Sequence, residues 1–340
     1  MAHGPALTAS GRRSWRPAAP IAILLAAGGL AGCSSESVTP GNSHVVVYAA
    51  VGAGAANPGD TVAVVGNANG KVGRPVTVGT LPSALALVPG AADLLVTVKA
   101  QNELVEVATA TGKVMGRVGV GLQPDAVAVT PDGTTALVAN FGDNTVTEIH
   151  LPALTVGRTV HVGGQPVSIA LTPDGHQALV ANYRDGTLTP LTLPSLASGV
   201  PVPVGAGPVA VAVTSANEAL VADFQTSSLT QVALPSLVPQ PSIPLGANPT
   251  GIATGPGGSV AWISAGYGIT PITLIGHAVG KAIPLGIPAG CIVVTRHGQA
   301  WVCSGNGGLV QVDVTSGRVL RTVAVGGIPA AAIVADTVGT

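Results

Sequence analysis

Aromatic side chains are scarce in this chain: Phe, Tyr and Trp make up 2% of its 340 residues, so the position of each one carries information. Charge is scarce too, at 9% Asp, Glu, Lys and Arg, while 47% of residues are hydrophobic, mostly Ala and Val. With a mean hydropathy of +0.55, that composition alone would admit a protein of many membrane spans. The pattern excludes it. Beyond the N-terminus the apolar runs are only about four to seven residues long and are broken by Gly, Pro, Asn and Asp, whereas a spanning helix needs roughly 20. No stretch has convincing helical periodicity. Three cysteines are present and no CxxC pair, which removes the usual zinc frameworks. A Gly-x-Ser-x-Gly elbow, a phosphate-binding loop and an isolated carboxylate pair are all missing. The seven histidines are scattered, with His176 and His297 in turns and no pair at ligand spacing, so copper or haem ligation has no support. No catalytic residue, metal or cofactor is assigned.

One segment approaches membrane length, and it lies at the start. Arg12, Arg13 and Arg16 precede an apolar stretch from Ala18 to Leu30, of signal-peptide rather than spanning length. It ends in Leu30-Ala31-Gly32-Cys33, a junction similar to a bacterial lipobox, where cleavage leaves a diacylated cysteine as the mature N-terminus. Residues 1–32 are read as a lipoprotein signal peptide and residues 33–43, rich in Ser, as a tether. The expected location is the outer face of a bacterial membrane, with the lipid on Cys33 as the membrane partner. The Arg12-Arg13 pair leaves the choice between general and twin-arginine export open. Without residues 1–32, eleven basic side chains face fifteen acidic ones. That weakly acidic balance disfavours nucleic acid as a partner.

From His44 onward the chain repeats. Equivalent prolines fall at Pro82, Pro124, Pro166, Pro208, Pro249, Pro288 and Pro329, spaced by 42, 42, 42, 41, 39 and 41 residues. Each unit reads as four short strands, rich in Val, Leu and Thr, with a turn signal about every ten residues. In the second unit strand A is Ala126 to Thr130, and Pro131-Asp132-Gly133 makes a turn. Strand B is Ala136 to Asn140, strand C Thr145 to Leu151 and strand D Gly157 to Val162. Four strands repeated every forty residues or so predict propeller blades. Six units are complete. Before Pro82 the segments Val45–Ala50, Thr61–Gly66 and Pro75–Gly79 supply three strands, and Ala330–Ala335 supplies one. Three and one predict an all-β, seven-bladed β-propeller over residues 44–340, its last blade closed by the N- and C-terminal strands. Closure also removes exposed sheet edges.

The phrases Thr130-Pro131-Asp132-Gly133 with Leu137-Val138-Ala139-Asn140-Phe141-Gly142-Asp143-Asn144-Thr145-Val146, and Thr172-Pro173-Asp174-Gly175 with Leu179-Val180-Ala181-Asn182-Tyr183, resemble the YVTN repeat of YncE-type and surface-layer-type β-propellers. The resemblance covers essentially residues 44–340, with the units at Pro249 and Pro288 departing most. It implies the propeller fold and, for most members, extracytoplasmic binding. Propeller relatives also include lactonases and quinone-dependent dehydrogenases, and fold alone does not choose among these.

In such propellers the B–C and D–A loops surround the mouth of the central channel. Phe141 and Tyr183 share one position in the B–C loop, Phe224 joins them after a shorter turn, and Tyr267 lies in the next such loop. These four could form a stacking platform, or simply pack between blades. The same loops hold Asn140, Asn182, Asp143, Asn144, Arg184, Asp185, Asp223, Gln225, Lys99 and Asn102, which could orient a ligand or could serve their own turns. Arg184 stands out, because a turn has no need of a guanidinium and Arg recognises carboxylates. Trp262 and Trp301 take the place of Leu95, Leu137, Leu179 and Leu220 and are expected between blades. Cys291 and Cys303 align with Ile169 and Ala181 on neighbouring strands, close enough for a disulfide, which an exported compartment permits. The leading expectation is a membrane-tethered binding or scaffold protein whose loop face takes a protein, a cell-wall component or a small molecule. The alternative is an extracytoplasmic propeller enzyme, lactonase-like or quinone-dependent dehydrogenase-like.

Overall fold

The computed structural model describes residues 44–52, 59–90, 92–215, 217–255 and 258–337, so Cys33 and the segments on either side of it lie outside the described residues. Seven antiparallel sheets succeed one another along the chain, with no α-helix among the described residues. Blades 1 to 6 start at the innermost strands Pro82–Leu87, Pro124–Val129, Pro166–Leu171, Pro208–Val213, Pro249–Thr254 and Ala289–Val294. In blade 2 the sheet runs outward through Thr135–Asn140 and Thr145–His150 to Thr155–His161. Blade 7 is composite. Its innermost strand is the C-terminal Pro329–Thr337, followed outward by His44–Val51, Thr61–Gly66 and Val76–Thr77. The first and last described strands pair antiparallel, with His44 opposite Thr337 and Tyr48 opposite Ile333. The predicted three-plus-one closure is thus observed.

One sequence alignment needed correction. Blade 6 starts at Ala289, not Pro288: Ala289 faces Ser304 as Pro166 faces Asn182. Cys291 therefore matches Ser168, one residue from the expected Ile169. The reason is a shorter A–B turn in blade 6, where Thr295 N bonds to Gln299 O four positions on, against Thr172 N to Gln177 O five positions on in blade 3. The innermost strands also share a bulge, in which the second residue has no partner across the sheet. Ser168 faces Ala181, so the corrected register brings Cys291 opposite Cys303. The two form a disulfide with Cα atoms 4.9 Å apart.

Blades stack face to face, so both sides of the three inner strands are covered. The two innermost are largely apolar, and the third buries polar residues such as Thr147, Glu148 and Gln231. Strands Pro208–Val213 and Thr145–His150 are buried nearly throughout, while the outermost Lys113–Gly119 alternates in and out. Nearest the axis the blades crowd, and small residues recur at the fifth place of the inner strand: Ala86, Ala128, Ala170, Ala212 and Ala253. Farther out the gap widens, and the leucine column takes two tryptophans. Trp301 is fully buried and Trp262 nearly so. The Trp301 indole N–H donates to Asn67 Oδ1 of blade 7 at 2.6 Å, and Gln311 Nε2 reaches the same oxygen at 3.1 Å. Asn67 Nδ2 in turn donates to Gln299 Oε1 at 2.8 Å. This buried polar network joins blade 6 to the blade that closes the ring. The outer edges differ among blades. Blades 1, 2 and 6 end in seven-residue strands, whereas those of blades 3 and 4 break into two-residue pieces ending at Pro203, Pro239 and Pro244. Proline removes the N–H that an approaching strand would pair with.

Candidate functional site: the loop rim

Strand direction places the B–C and D–A loops together. Gly52, just after strand His44–Val51, donates its N–H to Ile328 O in the loop entering blade 7. Phe141 and Tyr183 likewise donate their backbone N–H groups to Gln123 O and Gln165 O. One face of the disc is therefore a rim of paired loops.

Most polar candidates on that rim are occupied in building it. Asn140 and Asn182, the last residues of their strands, are fully buried behind it. Asn140 Oδ1 accepts from Gly121 N, while Nδ2 donates to the hydroxyls of Thr145 and Thr147. Asn182 Nδ2 donates to Thr187 and Thr189 in the same way. Asp143 and Asp185 accept the backbone N–H groups of Leu122 and Gly164 at 2.5 and 2.6 Å. Asn102 and Asn144, both with left-handed backbone, reach the next blade and accept from Gln123 N and Gln165 N, each at 2.8 Å. These groups fix loop to loop.

What is left for a visitor is asymmetric. At the first position of the B–C loop, blades 1 to 4 carry Lys99, Phe141, Tyr183 and Phe224, whereas blades 5, 6 and 7 carry Gly266, Gly305 and Gly52. Phe141, Tyr183 and Phe224 are half-buried between blades, and the Tyr183 hydroxyl accepts from Gln225 Nε2 at 3.2 Å. Tyr267 is different: it is 67% exposed. Arg184 stands 63% exposed with only a long 3.5 Å contact to Asp185 Oδ1. Leu81, Leu122 and Ile328, from the loops entering blades 1, 2 and 7, are exposed on the same face. Beside the rim, a cleft of about 450 Å³ on blade 2 is lined by Gly121, Asp143, Thr145, Thr147, Thr159 and His161, among others. Among the described residues no three His, Cys, Asp or Glu side chains are grouped to hold a metal ion.

Two buried carboxylates on this face stand out: Asp125, which the sequence reading did not single out, and Asp223, which it named only among the loop polar groups. Asp125 occupies the bulge of blade 2, where other blades have Ser83, Val167, Val209, Thr250, Gly290 and Ala330. In blades 1 and 5 the bulge hydroxyl donates across to the next blade, Ser83 to Pro124 O and Thr250 to Ala289 O. Asp125 instead meets Lys99 of blade 1 at 2.7 Å, and Lys99 Nζ lies 5.9 Å from the Phe141 ring centre. Burial pushes the Asp125 pKa up to about 6, with the Lys99 charge pulling against it. The available signal was a lone acid in a column of neutral residues. Asp223 ends its strand where blades 2 and 3 have asparagine, and burial pushes its pKa up to about 7 against bonds from Thr230 and Gly205.

Fold and rim together define a closed, seven-bladed β-propeller. A hydrazine synthase from Kuenenia stuttgartiensis is similar, with a TM-score of 0.66 at 17% identity over 78% of this chain and 90% of that one. A functionally unknown protein from Desulfotomaculum acetoxidans DSM 771 matches with a TM-score of 0.75 at 16% identity, over 86% of this chain and 98% of that one. At such identities the likeness shows the fold alone. No family model matches the chain, and no curated protein is similar to it in sequence.

Proposed function

We propose that this protein is a lipid-anchored binding propeller of the bacterial cell envelope, taking its ligand on the loop rim. The observation that carries the reading is the uneven rim. Tyr267 and Arg184 project from it, with exposed Leu81, Leu122 and Ile328, while most neighbouring polar groups are bonded within the framework. Exposed apolar groups clustered on one face mark recognition surfaces, and a loosely held guanidinium suits a carboxylate. Within the candidate set, Asn140 and Asn182 act as framework. Asp185 does so too, through Gly164 N. Phe141, Tyr183 and Phe224 form the floor, and Arg184 and Tyr267 make the contacts. The buried Cys291–Cys303 disulfide supports an oxidising compartment, as the Leu30-Ala31-Gly32-Cys33 junction does. The test is a thermal-shift screen of muropeptides, acidic peptides and small carboxylates, followed by titration. A bound compound is expected to lose at least tenfold in affinity with Arg184→Ala and with Tyr267→Ala. Unchanged affinity in both variants, or no binder in the three classes, refutes the rim as the site.

A further inference from the structure

The basic side chains are not spread evenly round the ring. Residues 82–248, which build blades 1 to 4, hold five Lys or Arg against eleven Asp or Glu. Blades 5 to 7 hold Lys71, Arg74, Lys281, Arg296, Arg318 and Arg321 against only Asp60, Asp313 and Asp336. One sector is therefore net positive in a chain that is acidic beyond residue 32. Except for Arg321, which is half-buried, these six cations are exposed.

Their position is as informative as their number. Val51 sits at the rim, so the other end of that strand, His44, lies on the opposite face beside Thr337. That is where the chain from Cys33 enters the propeller. Lys71 is next to it: its carbonyl accepts from Gly66 N, and Gly66 pairs with Val46. Arg321 Nη2 donates to Ala68 O and ties the outer strand of blade 6 to this turn. Arg318 pairs with Asp313 at the same end of blade 6, where the turn holding Arg296 is bonded to Val314 N through Gly298 O. Asp60 is elsewhere, since its carbonyl accepts from Val78 and Gly79 at the rim end. The end at His44 thus sets Lys71, Arg296, Arg318 and Arg321 against Asp313 and Asp336.

We propose that the face of blades 6 and 7 around His44 is a membrane-docking surface for anionic phospholipid, which holds the loop rim away from the bilayer. This rests on the lipid-anchor reading above. The eleven residues from Cys33 to Ser43 span at most about 38 Å and on average about 18 Å. Such a tether keeps the basic sector within reach of the headgroups, where attraction acts over about 8 Å at physiological salt. Each cation that enters this layer multiplies surface occupancy by about five.

The experiment uses the full lipidated protein reconstituted on vesicles of phosphatidylcholine alone or with added phosphatidylglycerol. Co-flotation with both vesicle types, and the mass of the Cys33 peptide, report on the anchor independently of the surface. Acetylation of Lys71, followed by mass spectrometry, reports on docking. Its rate is expected to fall at least fivefold on the phosphatidylglycerol vesicles, to recover in high salt, and to stay fast in the variant Arg296→Glu/Arg318→Glu. Equal rates on the two vesicle types overturn the proposal even when flotation proves the anchor, as does protection indifferent to salt. A variant that does not fold leaves the salt comparison on the native protein to decide.

Discussion

Replacing Asp223 by asparagine should stabilise this propeller above neutral pH and leave it unchanged in acid. In blades 2 and 3 the equivalent Asn140 and Asn182 each donate to two strand-C hydroxyls. Asp223 is fully buried, accepts from Thr230 Oγ1 at 2.6 Å, and leaves Oδ1 without a hydrogen bond. Its pKa lies near 7 in the folded state, raised by burial from an ordinary 3.8. The folded protein therefore holds a proton that the unfolded chain releases. The stability this provides is complete below about pH 4 and is lost as pH rises toward 7. The difference between the folded and unfolded values corresponds to roughly 4 kcal/mol, an upper limit because the protein can relax around the charge. The asparagine side chain is neutral at every pH and restores the donor the column calls for. Urea unfolding of both proteins at pH 4, 6 and 8 gives the answer: equal stability is expected at pH 4 and a gain of about 1–4 kcal/mol at pH 8. A difference independent of pH, or a less stable variant at pH 8, refutes the reasoning. Asp125, with its pKa near 6, adds pH dependence of the same sign below pH 6 and remains in both proteins.

Asn67→Ala should cost about 2–3 kcal/mol by chemical denaturation, because Trp301 Nε1 and Gln299 Oε1 lose buried partners between blades 6 and 7. Reduction of the Cys291–Cys303 bridge, or the double substitution Cys291→Ala/Cys303→Ala, should lower stability by about 3 kcal/mol at most, as expected for a loop of 12 residues; unchanged denaturation midpoints would argue against it. Deleting residues 329–340 removes the inner strand of blade 7 and should abolish cooperative melting, so a truncated chain that melts like the intact one would contradict the closure.

The blades were legible because the code for them is local. Pro-Asp-Gly turns, short strands rich in Val, Leu and Thr, and a period near 42 residues need no knowledge of distant contacts. Even the closure follows from counting strands. The one-residue error at Cys291 arose because Pro288 was matched to Pro166, although the A–B turn of blade 6 is one residue shorter than that of blade 3. The rim was only half legible. Aromatics at matching repeat positions could be seen, but their burial depends on the neighbouring blade, which differs round the ring. Asn140 and Arg184 look equally polar in sequence, yet only the structure separates framework from exposed group. Asp125 and Lys99 come from different blades, 26 positions apart, and nothing local pairs them.

The pairing of His44–Val51 with Pro329–Thr337 also sets an order of events. Segments closing over nearly the whole chain form late, since loop closure must precede any reward from the contact. The first strand made must therefore wait for the last, and until then the seventh sheet lacks its innermost member. Its unpaired edge stays open to any extended chain nearby until residues 329–337 have been made. A truncated or stalled product should thus be selectively sticky at one strand, His44–Val51, and a peptide copying Pro329–Thr337 should shield it.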